Sequence, residues 1–599
     1  MEPVKDNIIL CQAGYSKDGC KLAVLTRPAS RFEIRDSEGQ VCFAGEIQYF
    51  GPDENSGDEV YRADFTGLCR EGEFTLRAEV CGEGAAHEAA DEACRNDMGQ
   101  WISSRPFFIR RDVYAPVLHD TAKAFYYLRC GCGLPARYAG KFSHGPCHTG
   151  RAVLWEDNRQ TAEAAGGWHD AGDYGRYVTA GVCALAHLLF AYQLFPAVFD
   201  AQRLDIPESG GPLPDLLAEC RFELEWLLKM QRKDGAVYHK ETTAGHAPFV
   251  MPEEDTAQLY LFPVSSMATA DFAAVCALAA RLYRKFDAEF SQQLQAAAQK
   301  TGIWLEEHPE FIGFENPPGC WTGSYGESTD ADNRFWAWIE LYLLTGEEEF
   351  HERARNALSE PFSLTALGYG AVGGFGALSY LLYSAPGKDE ALAGRFREQF
   401  LAEAQRLSEL SDCCGYGAAM AAQDYCWGSS MNLLKHGMIF AIAETVCGAE
   451  RPRKGERVCA VSREEPEGSV CSQCDCTKAL RMEADSYTFY AERQIQCLLG
   501  INALGFSYVS GTGENSLKNP HLRPAYADGV EECIPGMVSG GPNRHPVDET
   551  AAWLIAPGTP PMKCFADHVG CYSLNEITIY WNSPVVFLLA YLEKKYMYL

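Results

Sequence analysis

Two aspartates three residues apart, Asp170 and Asp173, lie in the glycine-rich run GGWHDAGDYGRY (166–177), directly before a long apolar segment. Carboxylates so placed in a turn can grip one water molecule together and take its proton. The same spacing also suits helix N-capping, in which the side chain accepts a backbone N–H at the start of the following helix, and on spacing alone capping is the commoner use. Near the far end, YSLNEI (572–577) sets a single acid, Glu576, before an apolar stretch that runs to Leu592. An isolated acid there is ordinarily a dipole-favoured or capping group. A third set is Cys130 with Cys147, His148 and His169. Two thiolates and two imidazoles fill a tetrahedral Zn2+ shell and leave no open position, which defines a structural site. The spacing is not that of a zinc finger, so buried free thiols and a core histidine are the ordinary reading. Cys132 and His144 lie near enough in sequence to confuse the ligand set.

Something large must hold these groups together, because more than 400 residues separate Asp173 from Glu576 in a chain of 599. Residues 1–111 carry short alternating β-rich runs, such as GEFTLRAEV (72–80), between Gly, Asp and Pro turns, which predicts a small antiparallel β-sandwich. After FFIR (107–110) the apolar period lengthens to that of helices, for example over 214–230, 268–286, 334–344 and 433–446, and residues 112–599 are expected to form about a dozen helices closing into a ring. Residues 448–478 break this pattern, with dense charge and Cys459, Cys471, Cys474 and Cys476, and are expected to form an exposed insertion. The most apolar stretch, 178–199, is interrupted by His187, Gln193 and Pro196 and reads as a buried helix, not a membrane span.

Composition sets further bounds. Hydrophobic residues make up 47% and charged residues 22%, the balance of a folded globular chain. A net charge of −29 would repel phosphate backbones and argues against nucleic acid as a partner. The opening MEPVKDN lacks the basic flank and apolar core of a secretion signal, and 25 cysteines, an odd number, suit free thiols in a reducing compartment, so the chain is expected in the cytoplasm.

Taken together, the motifs resemble glycoside hydrolase family 9, the inverting β-1,4-glucanase family with an (α/α)6 barrel. GGWHDAGDYGRY is similar to that family's catalytic-base signature and NEITIYWN (575–582) to its general-acid signature. Between them SYVSGTG (507–513), NPHLRP (519–524) and PGMVSGGPN (535–543) keep the family's order and spacing, and the N-terminal region resembles the immunoglobulin-like module of one branch. The resemblance covers nearly the whole chain.

The resemblance implies Asp173 as base, Asp170 as its partner on the water, and Glu576 as acid. Inversion needs an ionised and a protonated carboxyl about 6.5–9.5 Å apart on opposite faces of the sugar. It also implies that His521 and Arg523 contact the sugar, with Leu522 standing where the family commonly has a second histidine, and that Cys130, Cys147, His148 and His169 hold a structural Zn2+ that pins the base turn. Calcium is doubtful, since Asn333 and Arg334 in DADNRFWA (330–337) replace an acid and add a positive charge. The segment from Thr578 to Trp581 departs from the family's pattern after the acid and puts the leaving-group side in question. Trp321, Tyr325, Trp427 and Tyr572 sit in loop or Gly-rich contexts and are candidates to stack on sugar faces, with core packing as the alternative. The expected substrates are cello-oligosaccharides or β-glucans. An exo-acting cellodextrinase, a β-glucosidase or an exo-glucosaminidase of the same family are alternatives. A carbohydrate-binding protein without turnover is disfavoured because all three carboxylates are present, and a hydrolytic zinc because four protein ligands leave it no open position. The sequence assigns no oligomeric state.

Overall fold

The computed structural model describes residues 8–80, 100–383, 388–448 and 486–597. The expected insertion at 448–478 and its cysteines, from residue 449 on, lie outside these.

The first nine strands are β1 (Tyr15–Ser16), β2 (Leu22–Leu25), β3 (Ala29–Asp36), β4 (Val41–Glu46), β5 (Gln48–Asp53), β6 (Asp58–Asp64), β7 (Gly72–Val80), β8 (Gln100–Ser103) and β9 (Phe107–Arg110). They form two sheets, one in the order β1-β9-β7-β3-β4 with β8 also on β7, the other β2-β6-β5. Alternation decides which side chains face the core: in β7 Phe74, Leu76, Ala78 and Val80 are buried and meet Phe32 and Ile34 of β3. The expected sandwich is therefore present, with one correction: β1 runs parallel to β9, so the sheets are not wholly antiparallel.

Twelve helices of ten residues or more follow among the described residues: α1 (Ala115–Tyr127), α2 (Val178–Leu194), α3 (Asp215–Met230), α4 (Ser266–Tyr283), α5 (Ala288–Glu307), α6 (Ala331–Thr345), α7 (Glu348–Ala357), α8 (Gly373–Leu382), α9 (Glu390–Asp412), α10 (Ser429–Thr445), α11 (Tyr487–Leu498) and α12 (Ile579–Met597). Even-numbered helices form the inner ring: α2 packs on α4, α4 on α6, α6 on α8, α10 on α12, and α12 returns to α2 and closes the circle. Odd-numbered helices clad it, α3 against α2, α5 against α4 and α7 against α6. Inner helices are apolar nearly all round, as VTAGVCALAHLLFAYQL in α2 shows, and a helix of that kind must be buried. Outer helices keep one polar face, and two of them start on side-chain caps, Asp287 on Phe290 N for α5 and Asp389 on Leu392 N for α9. Among the described residues no helix is long and apolar enough to cross a membrane.

The sandwich is bonded to the barrel. Asp58 takes Lys563 Nζ at 2.6 Å and the Tyr416 hydroxyl at 2.8 Å, Asp53 takes Gly415 N at 2.7 Å, and Asn55 O takes Met562 N at 2.9 Å. A small sheet at the open end of the ring, β10 (Ala152–Leu154), β11 (Asp157–Ala162), β12 (Arg176–Tyr177), β13 (Lys240–Thr242) and β14 (Tyr260–Leu261), carries the loops that bound the site.

Candidate active site

Asp170 and Asp173 stand in the turn that enters β12 and then α2. Neither caps that helix, whose N-cap is Tyr177 and receives no side-chain bond. The Asp170 N–H donates to Gly175 O at 2.9 Å, which closes the turn, and Asp173 Oδ2 accepts the Gly175 N–H at 3.1 Å. Gly172 is required where it is: a Cβ there would lie 2.1 Å from the carbonyl oxygen of His521. The acid arm runs alongside. His521 pairs with Glu576 in a parallel bridge, Gly540 N donates to Glu576 O at 2.9 Å, and Ile579 N donates to Asp170 O at 2.8 Å. Sheet-like backbone bonds thus lock the base turn and the acid arm together.

The carboxyls differ sharply in environment. Burial pushes Asp173 upward, but His246 Nδ1 at 3.2 Å, the nearby Arg523 guanidinium and the Gly175 N–H outweigh it and hold the carboxyl down to about 2. Glu576 goes well above the usual carboxylate range, through burial first and then the negative charges of Asp173 and Asp170. Asp170 is also raised, by burial, with the Tyr325 hydroxyl donating to its Oδ2 and partly offsetting the rise. Its Oδ1 is buried and has no protein partner. One ionised carboxylate and one protonated carboxyl therefore face the same cleft, the division of labour that acid–base hydrolysis requires.

That open cleft is lined by Asp170, Asp173, Glu576, Trp427, Tyr325 and His246 among others. Trp427 is 46% exposed and packs 5.4 Å from Tyr572, itself 5.8 Å from the His521 ring. Trp321 is 77% exposed and packs beside Gly245, which precedes His246. Tyr325, expected as a stacking ring, lies in the cleft wall but spends its hydroxyl on Asp170. Its φ of 51° is rare outside glycine, and residues held so cluster at functional sites. Arg523 turns inward: Nη1 donates to Gly172 O at 2.6 Å and Nε to Ala247 O at 2.8 Å, so it braces the base turn. His521 Nδ1 donates to Val569 O at 2.7 Å, which leaves Nε2 as the ring's acceptor. Sequence reasoning missed His246 on its loop after β13, and also Tyr177, Tyr369 and Tyr580, which line the cleft. Of these, Tyr177 closes the run around Asp170 and Asp173, and Tyr580 lies in the segment after Glu576 that departs from the family's pattern.

Cys130, Cys147, His148 and His169 converge as well. All four are buried, and their donor atoms lie within 4.8 Å of one another, a cluster able to hold a metal ion. Cys132 and His144 fall outside it, the latter bonded to Gly145 O at 2.7 Å. The donors suit a soft tetrahedral ion. His148 has the left-handed φ of 47°, its Nε2 lies 3.2 Å from Asp255, and its Nδ1 is buried without a partner, so one ring nitrogen is oriented by a carboxylate and the other is left for a metal. Backbone bonds from Cys130 N to Gly167 O and from His169 N to Leu128 O, both 2.7 Å, tie the cluster to the base turn. In the run considered for calcium, Asp330 binds Arg334 at 2.8 Å, Asp332 accepts Val372 N at 2.8 Å and Asn333 donates to Asp271 at 3.0 Å.

Residues 114–589 match the family model for glycosyl hydrolase family 9, and residues 4–83 match that for the cellulase N-terminal ig-like domain. A cellodextrinase of Butyrivibrio fibrisolvens is 40% identical over 97% of this chain and 99% of its own. A thermostable endoglucanase from Alicyclobacillus acidocaldarius superposes with a TM-score of 0.84 at 33% identity, covering 98% of this chain and 100% of the other. A zinc-binding triple mutant of the family 9 endoglucanase J30 does so with 0.80 at 29% identity, over 96% and 99%. The resemblance in the motifs, the ring of paired helices and these matches agree, and the chain belongs to glycosyl hydrolase family 9, a glycoside hydrolase acting on β-1,4-glucans with an immunoglobulin-like domain ahead of its (α/α)6 barrel.

Proposed function

We propose that the enzyme hydrolyses cello-oligosaccharides with inversion, Asp173 serving as base and Glu576 as acid. The observation that carries this is the opposed ionisation of two carboxyls on one cleft, Asp173 held down by His246 and Arg523 and Glu576 held up by burial and its acidic neighbours. Water held by Asp173 and Asp170 attacks the anomeric carbon and gives its proton to Asp173. As the glycosidic bond breaks, Glu576 passes its proton to the leaving oxygen. Solvent then restores both carboxyls, and the new reducing end is the α-anomer. Trp427 with Tyr572, and Trp321, are the surfaces on which sugar rings would stack.

Short soluble chains are the favoured substrate class because the cellodextrinase is more similar in sequence than the endoglucanase, 40% against 33% identity. The thiol–imidazole cluster favours Zn2+ in a closed structural site; bound there, the ion supplies no chemistry to the reaction and holds His169, next to Asp170, in place. None of the described cysteines forms a disulfide, which fits a reducing cytoplasm. The division between sandwich and barrel is drawn at residues 111 and 112, between β9 and α1.

The test is NMR of the new anomeric centre, with chromatography, on cellopentaose treated with wild type, Asp173→Ala and Glu576→Ala. An α-anomer formed by wild type and lost in both variants is expected, and the first product's length separates end-wise from internal attack. A β-anomer, or turnover kept in Asp173→Ala, would overturn the assignment.

A further inference from the structure

The acid arm does more than carry Glu576. One residue past Ile579, whose N–H holds the Asp170 carbonyl, the Tyr580 ring turns into the cleft and places its hydroxyl 3.4 Å from that of Tyr325. Either oxygen could donate in an isolated pair. Here the Tyr325 proton is already given to Asp170 Oδ2, so Tyr580 is the donor and the order is Tyr580 to Tyr325 to Asp170. The Tyr325 ring is held on three sides, 4.4 Å from Tyr177, 4.8 Å from Tyr369 and 6.1 Å from Tyr580. Its backbone is in the left-handed region, a conformation that surrounding contacts must enforce. With Oδ2 so engaged, the unpartnered Oδ1 of Asp170 is the oxygen left for the water.

We propose that Tyr580 is a positioning residue for the base side of the reaction: acting through Tyr325, it fixes the Asp170 carboxyl that orients the water, so the arm bearing the acid also sets the geometry of the base. This rests on the assignment of Asp170, Asp173 and Glu576 above. The link explains why the acid arm returns to Asp170 twice, once through the Ile579 backbone and once through a side chain. At 3.4 Å the hydroxyl pair is long against a usual value of about 2.7–2.8 Å, so the effect expected of removing it is that of one weak neutral bond.

The experiment uses the full chain with Tyr580→Phe, Tyr325→Phe and the double variant, on cellotetraose and on β-cellobiosyl fluoride, whose leaving group departs without an acid. Tyr580→Phe is expected to lower kcat about threefold to tenfold on both substrates with KM nearly unchanged. The double variant is expected to be no worse than Tyr325→Phe alone. A loss confined to cellotetraose would mean that Tyr580 acts through Glu576. A loss carried by KM would mean a direct sugar contact, and losses that multiply in the double variant would mean two independent roles; each of these overturns the proposal. Should Tyr580→Phe melt early, Tyr580→Met, which also lacks the hydroxyl, must give the same pattern. Glu576→Gln and Asp173→Asn serve as controls. The first should lose cellotetraose and keep the fluoride, and the second should lose both. Failure there removes the acid and base assignment itself, whereas intact controls with fluoride turnover spared in Tyr580→Phe remove only the role of Tyr580.

Discussion

Gly172→Ala is the smallest change that should disable the site. The added Cβ would stand 2.1 Å from His521 O and 2.8 Å from His521 Cδ2, where ordinary contact starts near 3.4 Å, so the base turn and the His521 strand must part by roughly 1.3 Å. The carbonyl oxygen is backbone and cannot swing aside. That strand pairs with Glu576, so the displacement falls on the separation of acid and base. Misplacement by about 1 Å can cost on the order of 100-fold in rate. Two bonds from Arg523 to Gly172 O, 2.6 Å from Nη1 and 3.2 Å from the backbone N–H, are strained or lost at the same step. At about 1 kcal/mol each for neutral bonds, and somewhat more where the guanidinium donates, the stability loss is about 2–4 kcal/mol. Steady-state kinetics on cellotetraose and urea unfolding of the same preparation read the two effects separately. A variant that kept kcat within threefold of wild type would refute the claim that the contact between turn and strand sets the geometry.

Further outcomes follow from the same site. His246→Ala removes the bond that holds Asp173 low and leaves burial, which pushes the carboxyl up; a base must be ionised, so the acidic limb of the kcat/KM profile should move to higher pH while the basic limb, set by Glu576, stays. Glu576→Gln should abolish the basic limb in the little activity that remains on cellotetraose. Chelation should lower both the melting temperature and kcat, added Zn2+ should restore them, and Asp255→Ala should weaken retention of the metal by about 10- to 100-fold in a competition titration. Asp58→Ala breaks the bonds to Lys563 and Tyr416 that join sandwich and barrel and should cost about 1–3 kcal/mol in denaturant unfolding, with the change in activity smaller than for Gly172→Ala.

The legible and illegible parts of the sequence divide along physical lines. Helical period and strand alternation are local, so the inner helices and the β7 pattern could be read directly, with ends displaced by a few residues, as at α4, which spans 266–283 where the period suggested 268–286. That Asp170 caps no helix was not local: its carboxyl bonds Tyr325, 155 residues on, and its carbonyl bonds the Ile579 N–H from the other end of the barrel. The four metal-cluster residues are spaced without regularity because separate loops deliver them, so spacing alone favoured buried free thiols and a core histidine. His246, 43% exposed on a loop, carries no pattern at all that would single it out. Arg523, whose type suggests outward recognition, gives two of its guanidinium N–H groups to carbonyls of the fold, Gly172 O and Ala247 O.

The seam of the ring carries a consequence for when the enzyme becomes active. Asp173 stands at the head of α2 and Glu576 at the head of α12, and these helices meet only as the last member of the inner circle docks on the first. Until that docking, the base turn lacks not only its acid but also the Arg523 and Ile579 bonds that brace it. Both reacting carboxyls are therefore in place only once this seam is closed, and during refolding the recovery of turnover should trail the recovery of helical signal. The same adjacency means that a break at this seam disturbs both reacting carboxyls at once.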